Sequence, residues 1–154
     1  MPIEHPFGGP GAFVGNVNIS VLDPNVAAFP PSTIIQRDHN WAVKVDWQIS
    51  GSAVKTMNSG QWLVKVFIDS IGPGFEGQVG ATVAVPVLGP PPANPPGSAS
   101  RAYTATINAP PPNTVPGQIA GTYKLTTVVN HVDAGVQMEI AGFQEGPVIQ
   151  FYDA

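Results

Sequence analysis

Residues 40–50 alternate without a break. Trp41, Val43, Val45, Trp47 and Ile49 fall on one side of an extended chain, and Ala42, Lys44, Asp46, Gln48 and Ser50 on the other. A period of two is the repeat of a β-strand with one dry face and one wet face. Residues 61–69 repeat it, with Trp62, Val64, Val66 and Ile68 inward. Further runs follow at Val79, Ala81, Val83, Val85 and Val87, then at Tyr103, Ala105 and Ile107, and then at Tyr123, Leu125, Thr127 and Val129. Val136, Met138 and Ile140 make another, followed by residues 148–152, and upstream residues 13–22 supply Val17, Ile19 and Val21. Seven or eight short strands separated by turn signals predict an all-β chain folded as an antiparallel sandwich or barrel. Trp41 and Trp47 share the face of Val43 and Val45, which places them in the core and not on a sugar-stacking platform.

The connectors are long and rich in proline and glycine. Residues 88–100 carry GPPPANPPGSAS and residues 109–118 carry APPPNTVPGQ, both expected as surface loops of polyproline character with few internal hydrogen bonds. Residues 1–12, with Gly8, Gly9, Pro10 and Gly11, read as a flexible arm ahead of one domain over 13–154. Gly 17 and Pro 18 in 154 residues interrupt every stretch before a long helix can accumulate.

Charge narrows the choice of partners. Only 10% of residues are charged and the net charge is -4, with the cations Arg37, Lys44, Lys55, Lys65, Arg101 and Lys124 scattered singly. A surface that tracks phosphates needs clustered cations, so no nucleic-acid partner is expected. No apolar run approaches the ~18 residues of a spanning helix, so no membrane insertion is expected. The opening residues lack the cationic and apolar regions of a signal peptide, so the expectation is either a mature chain or one that is not Sec-exported, cytoplasmic at synthesis or associated with a particle. The absence of cysteine removes disulfides, thiolate catalysis and Cys-bearing metal sites together.

Gly121-Thr122-Tyr123-Lys124-Leu125 resembles the start of strand F in immunoglobulin-like domains. There a tyrosine bonds back to upstream backbone two residues before a cysteine. Tyr123 holds the tyrosine place and Leu125 the cysteine place. The resemblance implies an antiparallel immunoglobulin-like or fibronectin type III-like sandwich over residues 13–141. In it Tyr123 is structural, Trp62 is the core tryptophan of strand C, and Val43 or Val45 opposes Leu125. The missing disulfide and some fifty residues beyond the ~100 of such domains are the departures.

Candidate chemistry is sparse. Asp38-His39 and His131-x-Asp133 are His/carboxylate pairs, but the immunoglobulin-like order places them at opposite ends of the sandwich. No shared metal ion is therefore expected. Gly72-x-Gly74-x-x-Gly77 matches a dinucleotide fingerprint, yet a valine-alternating strand follows where a helix is required. Asn18-Ile19-Ser20 is a glycosylation sequon inside a predicted strand. Asp69, Glu76, Glu139 and Glu145 show no convergence in sequence, and no cofactor motif is present. The expectation is a non-catalytic module that works through surface contacts with itself or other subunits of an assembly. Strand alternation turns Leu63, Phe67 and Val128 outward, and these are the expected interface. The alternative is a small-ligand or glycan binder using loops 51–60, 88–100 and 133–135.

Overall fold

The computed structural model describes residues 3–4, 11–23, 33–90 and 92–154; Gly8, Gly9 and Pro10 of the arm lie outside them. Nine strands form within these residues: β1 (Ile3–Glu4), β2 (Val14–Leu22), β3 (Ile34–Gln36), β4 (Trp41–Ser50), β5 (Gln61–Ser70), β6 (Gly77–Pro86), β7 (Ser100–Ala109), β8 (Gly121–Asp133) and β9 (Val136–Tyr152). Alternation decides their packing. Every inward residue named above for β4, β5, β7 and β8 is buried. Two sheets result. One is β2-β4-β7; the other runs β1-β9-β8-β5-β6, with β3 also paired to β9.

The core lies where the two inner faces meet. Trp47 stacks on Tyr103 at 5.3 Å between ring centroids, directly across the β4–β7 ladder. Trp62 arrives from the opposite sheet and meets both, edge-on to Trp47 at 6.2 Å and tilted on Tyr103 at 5.6 Å. At the other end Trp41 meets Phe151 edge-on at 5.5 Å, and Phe151 touches Tyr123 at 4.8 Å. Aromatic pairs in such geometries contribute about 0.5–1.5 kcal/mol each beyond the area they bury.

The structure corrects the sequence reading in several places. Residues 136–140 and 148–152 belong to one long strand, β9, with no separate terminal strand. Val136 and Met138 are 63% and 41% exposed, although Ile140 is buried. The β8–β9 hairpin overshoots the sandwich: His131 is the last buried side chain of β8, and a register shift lies between Asn130 and Val132. Inward parity has nothing to pack against there. Ala81 is likewise exposed. Between Val64–Val83 and Val66–Val79, β6 carries extra residues opposite Lys65, and the bulge turns Ala81 out. Gly80 makes that bulge possible at φ 64, where a Cβ would come within 2.5 Å of the Asn108 carbonyl oxygen of β7.

The connectors are more firmly tied than their composition suggests. β3, within the connector after β2, pairs in parallel with β9, so the sandwich is not wholly antiparallel. In the 88–100 loop the buried Asn94 side chain donates to the Ala102 carbonyl at 2.8 Å and accepts from the Ala102 N–H at 3.1 Å. It thus mimics a neighbouring strand on β7. In the 109–118 loop a short turn of helix over Pro112–Thr114 is anchored by Asn113 N–H to the Arg37 carbonyl at 2.9 Å.

Ile3 is buried, and Ile3–Glu4 pairs with β9 at Gly142 and Ala141. Its side chain fills space that Gly15 and Gly142 leave open. A Cβ on Gly142 would lie 2.7 Å from Ile3 Cγ1. Gly142→Ala should therefore lower unfolding stability by about 1–3 kcal/mol, the range for overpacking. In an Ile3→Ala background the same change should cost about half as much, because Ile3 Cγ1 is gone and only the 3.1 Å approach to Val17 Cγ2 remains tight. Urea titrations of the four chains check this; equal costs in both backgrounds would refute the packing role of Ile3.

Candidate functional site

Alternation on the larger sheet generates two populations of side chains. The inward set is the core. The outward set of β5 is Leu63, Lys65, Phe67 and Asp69, and that of β8 is Lys124, Thr126, Val128 and Asn130. Cross-strand register orders them into rows, Lys65–Val128–Phe143, Phe67–Thr126–Glu145 and Asp69–Lys124–Val148. Leu63, Phe67 and Val128 are half-buried among these neighbours. Phe143 and Val148 stand out at 46% and 51% exposure.

β9 does not fold over this surface; it extends it edge to edge with β8, adding two apolar side chains. Sequence reading missed Phe143. The inward positions of β9 are even at Ile140 and odd at Ile149 and Phe151. A register shift opposite Lys124–Thr126 changes the phase between them. A single alternation therefore cannot be drawn through the strand, and Phe143 belongs to neither visible run.

Four charges stand on this face, Lys65, Asp69, Lys124 and Glu145. Lys124 Nζ bonds Glu145 Oε2 at 2.8 Å across the β8–β9 ladder. Lys65 and Asp69 have no ion partner among the described residues. Asp69 lies opposite Lys124 in the ladder, but that ammonium is taken by Glu145.

Loops 51–60, 88–100 and 133–135 do gather at one end of the sandwich. Their polar groups mostly engage one another. Ser59 Oγ donates to Asp133 Oδ2 at 2.6 Å, the Gly97 N–H donates to Asn58 Oδ1 at 3.4 Å, and the Gly51 N–H donates to the Ala99 carbonyl at 2.9 Å. Arg101, buried on β7, donates to the Met57 carbonyl and to Asn58 Oδ1. A shallow groove of about 430 Å3 runs beside this end, lined by Gly60, Gln61, Pro86, Val132, Asp133, Ala134 and Gly135. Among the described residues Gln61 and Asp133 are its only polar side chains, and Asp133 is already bonded to Ser59.

His39 Nδ1 lies 3.2 Å from Asp23 Oδ2, ahead of β4. His131 Nε2 lies 3.2 Å from the Ser59 carbonyl oxygen, beside Trp62. Trp41, just after His39, packs on Phe151, which pairs with Gly121 at the start of β8; His131 is near its end. The two histidines are thus separated by most of the length of β8. Among the described residues no three His, Asp or Glu side chains converge as metal ligands. Gly72 and Gly74 occupy the turn between β5 and β6, and Gly77 opens β6, so a strand follows them.

Tyr123 is buried, and its hydroxyl donates to the Ile119 carbonyl at 2.9 Å, four residues upstream. Trp62 is buried against Trp47, Tyr103 and His131. Tyr103 donates to the Val87 carbonyl at 2.7 Å. Burial pushes both phenols above their ordinary value of about 10.

No protein-family description matches the chain, and no curated protein matches it in sequence. Among solved structures it is similar to the beta-glucosidase from Listeria innocua in complex with glucose, at 10% identity and a TM-score of 0.44, over 89% of this chain and 16% of that one. The gluconolactone complex of that enzyme gives 11% identity and a TM-score of 0.45, again over 89% and 16%. The soluble domain of PmoD from a Methylocystis species gives 11% identity and a TM-score of 0.35, over 88% of this chain and 90% of that one. The chain thus spans about a sixth of the glucosidase, and likenesses this distant carry no functional argument.

Tyr123→Phe should cost about 1–3 kcal/mol, as the Ile119 carbonyl loses its donor while the ring still fills its site. The phenols add a pH signature. Their protonated forms are favoured in the folded state, so their contribution is complete below about pH 10 and is lost as pH rises above it. Tyr123→Phe should therefore show a shallower alkaline loss of stability than the native chain. Urea midpoints from pH 8 to pH 11 measure both effects; identical curves would refute them.

Proposed function

We propose that this chain is a non-catalytic, immunoglobulin-like contact module that docks protein through the outer face of its larger sheet. The observation that carries the reading is the continuity of apolar side chains across three adjacent strands. Leu63 and Phe67 on β5, Val128 on β8, and Phe143 and Val148 on β9 share one face, interspersed with Lys65, Asp69, Lys124 and Glu145. Clustered apolar side chains outside a core mark contact surfaces. The strand order supports the immunoglobulin-like assignment. β2, β4 and β7 stand as strands A, B and E, and β5, β8 and β9 as C, F and G. β6 joins the C side, in the place of strand C′.

The self-engagement of the loops favours the sheet face over loop-end ligand binding. A ligand there would have to displace bonds that Ser59, Asp133, Asn58 and Arg101 already make. No helix among the described residues is long and apolar enough to cross a membrane.

A photo-crosslinking side chain at Phe67 should form a protein adduct in extract from the source cells. The same probe at Thr106, exposed on β7 in the opposite sheet, should not. Phe67→Asp should abolish the contact while leaving the melting midpoint nearly unchanged. Loss of stability without any adduct would mean that the face serves the fold alone.

A further inference from the structure

We propose that the occupant of this face is a second copy of the same chain, held in a two-fold dimer centred on Phe67. The inference rests on the contact-surface reading above and adds the partner and its geometry. Outward positions along β5 and just beyond it read Leu63, Lys65, Phe67, Asp69, Ile71. The ladder to β8 continues past Ser70, since the Ile71 N–H donates to the Thr122 carbonyl at 2.9 Å, and Ile71 is 61% exposed. The series is apolar, cation, apolar, anion, apolar. Its apolar positions are symmetric about Phe67 and its charges are antisymmetric.

A surface with that property is complementary to itself under one operation. Consider two copies laid face to face, related by a two-fold axis in the interface that crosses β5 at Phe67 at right angles to the strands. Each position before Phe67 then lies over the position equally far after it. Lys65 meets the partner's Asp69, and Asp69 meets the partner's Lys65. These are the two charges on the face without an ion partner among the described residues. Leu63 meets the partner's Ile71. On β9, Phe143 stands in the row of Lys65 and Val148 in the row of Asp69, so Phe143 meets the partner's Val148. Glu145 lies in the axial row and faces its own copy, each with its counter-charge in Lys124, and on β8 Val128 lies over the aliphatic stem of the partner's Lys124. An unrelated protein would need to match this pattern independently; a second copy matches it by symmetry.

Size sets the expected strength. At about 3.3 Å per residue and about 4.8 Å between strands, the face from Leu63 to Ile71 across β6, β5, β8 and β9 measures roughly 27 by 20 Å. Two such faces bury on the order of 1,000 Å2 in total, the lower bound for a specific interface, which puts the dimer among weak, reversible associations, expected within several hundred micromolar chain.

Sedimentation equilibrium on the native chain should show a monomer–dimer equilibrium in that range. Raising salt from about 0.05 to 0.5 M should weaken it as the exposed pairs are screened. Lys65→Asp and Asp69→Lys should each weaken the dimer at least about tenfold, since each turns two attractive contacts into two repulsions. An equimolar mixture of the two variants should regain near-native affinity, because one chain then offers two acids and the other two amines. Unchanged circular-dichroism melts of both variants establish that they fold. A native chain that stays monomeric at several hundred micromolar overturns the second copy, while the Phe67 crosslinking experiment decides the wider contact reading separately. A dimer insensitive to salt and to both single changes overturns this face. Weakening by each change without recovery in the mixture overturns the two-fold pairing.

Discussion

Trp47, Trp62 and Tyr103 meet where the two sheets face one another, and the rest of the sandwich depends on that contact. Trp47 and Tyr103 are register partners in one sheet, and Trp62 belongs to the other. In a chain without cysteine no covalent bridge spans the layers. The edge-on and tilted contacts of Trp62 with the Trp47–Tyr103 stack bridge the two layers, and rigid rings pack at only a few favourable angles. Tyr103 carries the constraint further, since its hydroxyl holds the Val87 carbonyl just beyond β6. The aromatic contact thereby fixes β4, β5 and β7 and the chain leaving β6. The second aromatic group, Trp41, Phe151 and Tyr123, does the same at the opposite end, where Tyr123 reaches back to Ile119.

Legibility in the sequence follows from how far each strand is opposed. β4, β5, β7 and β8 face another layer along most of their length, so their alternation is dictated by burial and can be read directly. β9 can be read only in part. It runs past the sandwich at Val136 and Met138, and a register shift reverses its phase between Ile140 and Ile149. β1 and β3, of two and three residues, are too short to display a period. Their pairing depends on room left by Gly142 and on the free edge of β9, neither of which leaves a local pattern. The same reasons divide the candidate surface. Leu63, Phe67 and Val128 were legible because β5 and β8 are regular, whereas Phe143 and Val148 lie on either side of the phase change.

Loop 88–100 shows a different limit. Its composition predicts an extended segment with few internal bonds, and composition carries no trace of what Asn94 does. One amide side chain presents a carbonyl and an N–H to Ala102 with the spacing of a backbone group. Long-range satisfaction of this kind depends on tertiary placement, and a single polar residue between prolines does not announce it.

The treatment of the sheet edges bears on how the outer face should be understood. Strand edges invite pairing with other chains and are commonly blunted. Here β7 is occupied by Asn94, and β6 bulges at Gly80 against the Asn108 carbonyl of β7. β9 is paired by β1 at Gly142 and by β3 from Gln150 to Tyr152, with Gly146 and Pro147 between. Proline offers no N–H for a new ladder bond. Three of the four sheet edges are thus closed by different local devices, while β2 has no strand partner on its outer side among the described residues. The apolar face built on Phe67 carries no comparable device among the described residues. Instead it carries two opposite charges at equal distances from its centre. The dimer proposed above joins faces and not edges, so it would close on itself after two copies and would not propagate into a fibre.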